Sequence, residues 1–155
     1  MTKTVLITGA GSGFGKATAL ALAARGHKVI ATTETQSQAD ALRAEAPQLE
    51  VVKLDITSTD DVAAAAKFDV DVMINNAGAG QTGPMADVPI ARVRHLFEVN
   101  VFGTVAATQA ALPRMAAKGS GRIIIMSSIA GVLAAPGFGP YAMTKHALEA
   151  MGKAM

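Results

Sequence analysis

The sequence predicts an α/β fold, a doubly wound parallel sheet with helices on both faces. Three observations predict it. Apolar runs of strand length alternate five times with longer helical patterns along 155 residues. The first run, Thr4 to Thr8, is continuous and not alternating, as strands buried on both faces require. Half of the residues are apolar but only 4% are aromatic, and Ala, Val, Ile and Gly prevail, which suits close packing.

Each element has its own warrant. Thr4 to Thr8 (TVLIT) reads as a buried strand. Gly13 to Arg25 is an Ala/Leu-rich helix that Gly26 ends. Lys28 to Thr33 is the second strand, and Ser37 to Glu45 a helix stopped by Pro47. Glu50 to Leu54 is the third strand. Ser58 opens a short helix through Lys67, with Asp61 three residues on as a capping-box-like signal. Val70 to Ile74 is the fourth strand, followed by a loop from Asn75 to Pro89. Ile90 to about Ala117 reads as one long helical region, with Asn100 inside it and a kink expected at Pro113. Arg122 to Met126 is the fifth strand, Gly131 to Pro140 a loop, and a last helix runs from Tyr141 to the end. The expected strand order is 3-2-1-4-5, with a ligand crevice at the carboxyl ends.

The length favours one domain, residues 1–155. A net charge of +2 without any Lys/Arg run argues against a nucleic-acid or membrane surface. There is no Cys, so neither disulfides nor thiolate metal sites arise. His27, His95 and His146 lack ligand spacing, and no metal is expected. No apolar stretch reaches membrane-spanning length, and a soluble, cytoplasmic protein is expected.

The chemistry is written in three places. Between the first strand and helix lies Thr8-Gly9-Ala10-Gly11-Ser12-Gly13-Phe14-Gly15. A loop of Gly, Ala and Ser lets backbone N–H groups and a helix N-terminus meet a phosphate; the alternative is a tight turn without a ligand. The magnesium-phosphate loop pattern fails, because Ala10 replaces its first glycine and Ala17 its hydroxyl. G-x-G-x-x-G fails too, because Phe14 stands where its last glycine belongs. T-G-x-x-x-G-x-G fits. Later come Ser127-Ser128, and then Tyr141 and Lys145 at i and i+4 on one helix face. A phenol of pKa about 10 is a poor base at neutral pH, and a nearby ammonium favours its phenolate. Alone, the serine pair reads as a strand-ending turn and the Tyr/Lys pair as an exposed face. Their order after the glycine loop favours redox chemistry dependent on a nucleotide.

That loop, with Asn75-Asn76-Ala77-Gly78, Ser128 and the Tyr141/Lys145 pair, resembles the short-chain dehydrogenase/reductase family through the whole chain. The resemblance implies a Rossmann-like domain that transfers hydride between NAD(P) and a secondary alcohol or ketone. In it, Gly9, Gly13 and Gly15 shape the loop and Ser12 and Phe14 line it. Asp55 bonds the adenine amine, with Ile56 beside it, although Asp55 also reads as a helix cap. Asn76 and Gly78 close on the adenosine, although Asn75-Asn76 also reads as a turn. Tyr141 is the general acid in reduction and base in oxidation. Lys145 assists it, and both touch the cofactor. Ser128, thirteen residues before Tyr141, binds the substrate oxygen. Asn100 matches the fourth catalytic position and holds a water joining Lys145 to solvent; an ordinary helix-interior hydrogen bond is the other reading.

For ribose recognition, Thr33 falls at the family's usual Asp position and Glu34 where NADP enzymes often carry Arg. Glu34 would repel a 2′-phosphate, so NAD is favoured; Lys16 and Arg43 are the cations that would admit NADP. Family analogy also implies a homodimer or homotetramer through the Ile90–Ala117 and Tyr141–Met155 helices. Two departures stand out. The chain stops ten residues after Lys145, where the family continues with two further strands and a mobile substrate loop, so a fragment is expected. Asp55 to Asn75 is short, so the third crossover helix is expected to be clipped. A different class of function, an NAD(H)-binding sensor without turnover, or an inactive fragment of the enzyme, is the alternative.

Overall fold

The computed structural model describes all residues from Met1 to Met155. Strand β1 (Thr4–Ile7) leads to helix α1 (Gly13–Ala24), β2 (Lys28–Thr33) to α2 (Gln36–Glu45), and β3 (Glu50–Lys53) to α3 (Thr59–Ala65). Strand β4 (Val72–Asn75) is followed by α4 (Ile90–Phe97), a π-helical turn (Glu98–Gly103) and α5 (Thr104–Lys118). Strand β5 (Arg122–Ile125), a 3-10 turn (Ile129–Gly131) and α6 (Gly139–Ala154) complete the chain.

The five strands are parallel and lie in the order β3-β2-β1-β4-β5, as the alternation predicts. β1 is central: Ile7 is in register with Ala31 of β2 on one side and Ile74 of β4 on the other. Successive strand residues face opposite sides. Val5, Ile7, Val29 and Ala31 therefore meet Ala19 of α1 and Ala39 and Leu42 of α2. Leu6, Ile30 and Met73 meet Ala107 and Met115 of α5. Burying each large aliphatic side chain is worth about 1.5–3 kcal/mol. The alanines let the helices lie close to the sheet.

Chain direction sets the crevice. β1 feeds a helix on one face and β4 feeds helices on the other, so their carboxyl ends part.

Two local expectations change. The Ile90–Ala117 region is not one helix. It departs from α geometry at Glu98–Gly103, around Asn100, and runs helically through Pro113 to Lys118. At Ser58 only half of the expected box forms: its Oγ accepts from Asp61 N at 3.4 Å, while the Asp61 carboxylate bonds Asp55 N and Lys53. The full capping box lies at Thr35 and Gln38 instead. Helix α3 is short, at seven residues. No helix is long and apolar enough to cross a membrane.

Candidate active site

The glycine loop is shaped by what crowds it. Gly9 and Gly13 have φ of 66° and 54°, a left-handed backbone that favours glycine. A Cβ at Gly9 would stand 2.7 Å from Ala77 Cα. One at Gly15 would collide with the Asn76 amide and lie 2.5 Å from the Gly9 carbonyl oxygen.

Asn76 is the staple of this loop. Its Nδ2 donates to the Thr8 and Gly9 carbonyls, both at 3.0 Å. The buried Thr8 Oγ1 accepts in return from Asn76 N at 3.0 Å and Ala77 N at 3.1 Å. Asn75 reaches the other way, donating to Thr108 Oγ1 of α5 at 2.9 Å. The Asn pair is thus a brace between β1, β4 and α5 and more than a turn.

Beside this loop opens a cleft of about 390 Å³, whose walls include Ser12, Phe14, Glu34, Asp55, Asn76 and Gly78. Gly9 and Ile56 also border it. Ser12 makes no side-chain cap on α1, so the first-turn amides of that helix lack a capping partner. Nothing lies within 4 Å of a Cβ placed on Gly13. Free amides beside open space fit the pyrophosphate of a dinucleotide.

Asp55 Oδ1 accepts from Thr57 N at 2.8 Å and Thr57 Oγ1 at 2.7 Å, and α3 is capped by Ser58. Asp55 is therefore an Asx turn in the cleft wall, not the helix cap. Its backbone N donates to Asp61 at 2.7 Å. The hydrogen bond from Lys53 holds the Asp61 carboxyl below its ordinary range, and the same bond raises the Lys53 ammonium.

Thr33 is displaced from the role its position implies. It is fully buried, its hydroxyl donates to Thr35 O at 3.1 Å, and it does not line the cleft. Glu34, the next residue, faces out and does line it. Both cations considered for a 2′-phosphate are engaged elsewhere. Lys16 pairs with Glu45, and Arg43 pairs with Asp40 and donates to Val51 O.

A second cleft of about 390 Å³ adjoins the first and shares Phe14, Asn76, Gly78 and Ala79 with it. Its walls include Ser128, Tyr141 and Lys145. Ser128 N-caps the 3-10 turn, its Oγ accepting from Ala130 N at 3.2 Å. That bond uses a lone pair and leaves the hydroxyl proton to be donated elsewhere. Tyr141 enters early in α6, behind Gly139 and Pro140. The buried Lys145 Nζ donates to Met126 O at 2.8 Å and stands 5.6 Å from the centre of the Tyr141 ring. Burial pushes the Lys145 ammonium below its ordinary pKa.

Asn100 is fully buried in the π-helical turn. Its Oδ1 accepts from Ala79 N at 2.7 Å, and its Nδ2 donates to Ala79 O at 2.9 Å and Thr144 Oγ1 at 3.0 Å. Its side chain thus clamps the loop after β4 to α6. These bonds run to other elements and not within its own helix. Gly78 keeps the space beside it clear: a Cβ there would lie 3.2 Å from Asn100 Oδ1 and 3.8 Å from Lys145 Nζ.

Sequence reasoning passed over four participants: Ala79, the Met126 carbonyl, Thr144 and His95, which borders the first cleft. A backbone carbonyl carries no sequence signal. Thr144 had one faint signal, a hydroxyl three residues after Tyr141 on the same helix. The other histidines stay local: His27 Nδ1 accepts from Lys3 N, and His146 Nδ1 lies 2.9 Å from Ala142 O.

A family model described as short chain dehydrogenase matches residues 3–155. The uncharacterized oxidoreductase YusZ of Bacillus subtilis is 36% identical over 99% of this chain and 58% of its own length. Among solved structures, a short-chain dehydrogenase from Streptomyces avermitilis superposes with a TM-score of 0.91 and 38% identity, over 99% of this chain and 59% of that one. A gluconate 5-dehydrogenase from Burkholderia cenocepacia, solved with NADP and tartrate, gives 0.89 and 29%, over 99% and 64%. The chain spans little more than half the length of the curated relatives it matches.

Proposed function

The chain belongs to the short-chain dehydrogenase family, and from that premise we propose that it carries the cofactor-binding and proton-transfer machinery of an NAD(P)-dependent oxidoreductase interconverting a secondary alcohol and a ketone. One observation carries this reading. Ser128, Tyr141 and Lys145 line a cleft that shares four residues with the cleft beside the glycine loop.

The cofactor would lie along the Gly9–Gly15 loop, with its pyrophosphate at the start of α1 and its adenosine beside Asp55 and Ile56. When bound, it supplies the hydride and its acceptor. The residues of the chain do the rest. Ser128 has a hydroxyl proton free to bond the substrate oxygen, which stabilises developing negative charge there. Tyr141 gives its phenolic proton to that oxygen in reduction and takes it back in oxidation. Lys145 places an ammonium near the phenol, and that charge favours the phenolate. Asn100 keeps the loop after β4 and α6 in fixed relation.

NAD is the favoured form, because Glu34 borders the cleft and would oppose a dianionic 2′-phosphate. The substrate end suits an uncharged compound. No charged residue occurs between Arg122 and Lys145, and Ile129, Val132, Leu133 and Phe138 are exposed there.

The test is Tyr141→Phe. The variant should bind NADH as the unsubstituted chain does and turn over no carbonyl compound. Retained turnover would overturn the reading.

A further inference from the structure

Thr144 stands beside the proposed machinery without touching its cleft. It is fully buried, and both sides of its hydroxyl are committed. Thr144 Oγ1 donates to the Tyr141 carbonyl at 2.7 Å. A hydroxyl has one proton, so toward Asn100 it can only accept, and Asn100 Nδ2 donates at 3.0 Å. The amide orientation of Asn100 is fixed independently, because Oδ1 takes the Ala79 N–H. Both Nδ2 protons are then used, on Ala79 O and on Thr144. The donors and acceptors match one for one.

We propose that Thr144 is a positioning residue for Tyr141, linking the first turn of α6 to the π-helical turn through Asn100. The proposal rests on reading Tyr141 as the acid and base. Tyr141 rides on that first turn and Lys145 on the next, and their separation depends on how these turns sit against Met126 and Ala79. The π-helical turn is held from its other side by Gly103, where a Cβ would come within 2.8 Å of Ile56 in the first cleft. Thr144 is thus the one side chain that hands the position of this turn on to the backbone of Tyr141. Valine has the same shape without the hydroxyl, and serine keeps the hydroxyl without the methyl, so the two separate bonding from packing.

Tyr141 is the only tyrosine and there is no tryptophan. Its phenolate absorbance can therefore be followed on the whole purified chain without cofactor or turnover. In Thr144→Val the phenolate midpoint should move away from that of the unsubstituted chain by about one pH unit, a tenfold change in the ionisation equilibrium. Thr144→Ser should restore the original midpoint. An unchanged midpoint in Thr144→Val with lowered thermal stability would mean a purely structural role and overturn the proposal. Failure of Thr144→Ser to restore it would do the same. Should Thr144→Val not fold, Thr144→Ala removes the same two bonds and is read identically; if neither folds, the role is structural and the proposal falls. A Tyr141→Phe enzyme that still turned over would instead sink the acid–base reading, and the titration result would stand apart from it.

Discussion

Gly15 lies so close to the side-chain amide of Asn76 that a methyl group on its Cα has no room. The Asn76 amide cannot retreat without releasing the carbonyls of Thr8 and Gly9. Gly15→Ala should therefore destabilise the chain by about 1–3 kcal/mol, the usual cost of overpacking, and weaken NADH binding further. Thermal melting and a fluorescence titration measure the two effects. A normal melting temperature with normal NADH affinity would contradict this account of the loop.

Glu34 governs the ribose end of the first cleft in this reading. Replacing it with Gln removes its charge and should narrow the preference for NADH over NADPH. Glu34→Arg should shift the ratio toward NADPH on the order of tenfold, or about 1.4 kcal/mol. Equal ratios in all three proteins would remove Glu34 from cofactor choice.

Lys145 sets a stability trend at alkaline pH. Burial lowers its pKa in the fold from the ordinary 10.5. Between the lowered value and 10.5, the unfolded chain holds a proton that the folded chain has released. Stability from this residue therefore rises with pH across that window. Lys145→Met should lack this rise. Across melting curves collected from neutral pH up to about 10.5, the parent chain should gain stability relative to the variant as the pH increases, and parallel curves would refute it.

Asp71 sets the opposite edge. Its carboxylate accepts from Lys118 at 2.6 Å and from Thr4 N at 2.9 Å, and the Lys118 bond first of all holds its pKa below the usual 3.8. Its contribution is present above 3.8 and is lost as the pH falls through the lowered value. Asp71→Asn should melt lower at neutral pH and respond less steeply to acid than the parent chain. An acid transition of unchanged steepness would count against it.

These residues also mark how far the sequence could be read. Strand order was legible, because TVLIT and its successors are strand-length apolar runs that alternate with helical patterns. Both clefts were foreshadowed by residue type, and Ser128, Tyr141 and Lys145 share one of them. The helix break was not legible. The proline pointed to a kink at Pro113, yet the departure from α geometry centres on Asn100, whose partners Ala79 and Thr144 lie 21 and 44 residues away. Nothing local encodes such a turn. The displacement of Thr33 by Glu34 has the same origin. β2 is buried on both faces through its last residue, Thr33, which a motif position alone does not reveal. Asp55 looked like a cap because caps and Asx turns draw on the same short carboxylate; Ser58 had the better place.

The single hydroxyl of Thr8 gathers amides from residues 68 and 69 positions further along the chain. A nascent polypeptide that has emerged only as far as β3 has no partner for that oxygen and no finished cradle. Closing so long a segment is slow compared with forming a helix, and the cradle is complete only once β4 is seated against β1. A bound nucleotide would then act as a latch on the completed sheet, favouring the finished fold over every shorter folding intermediate.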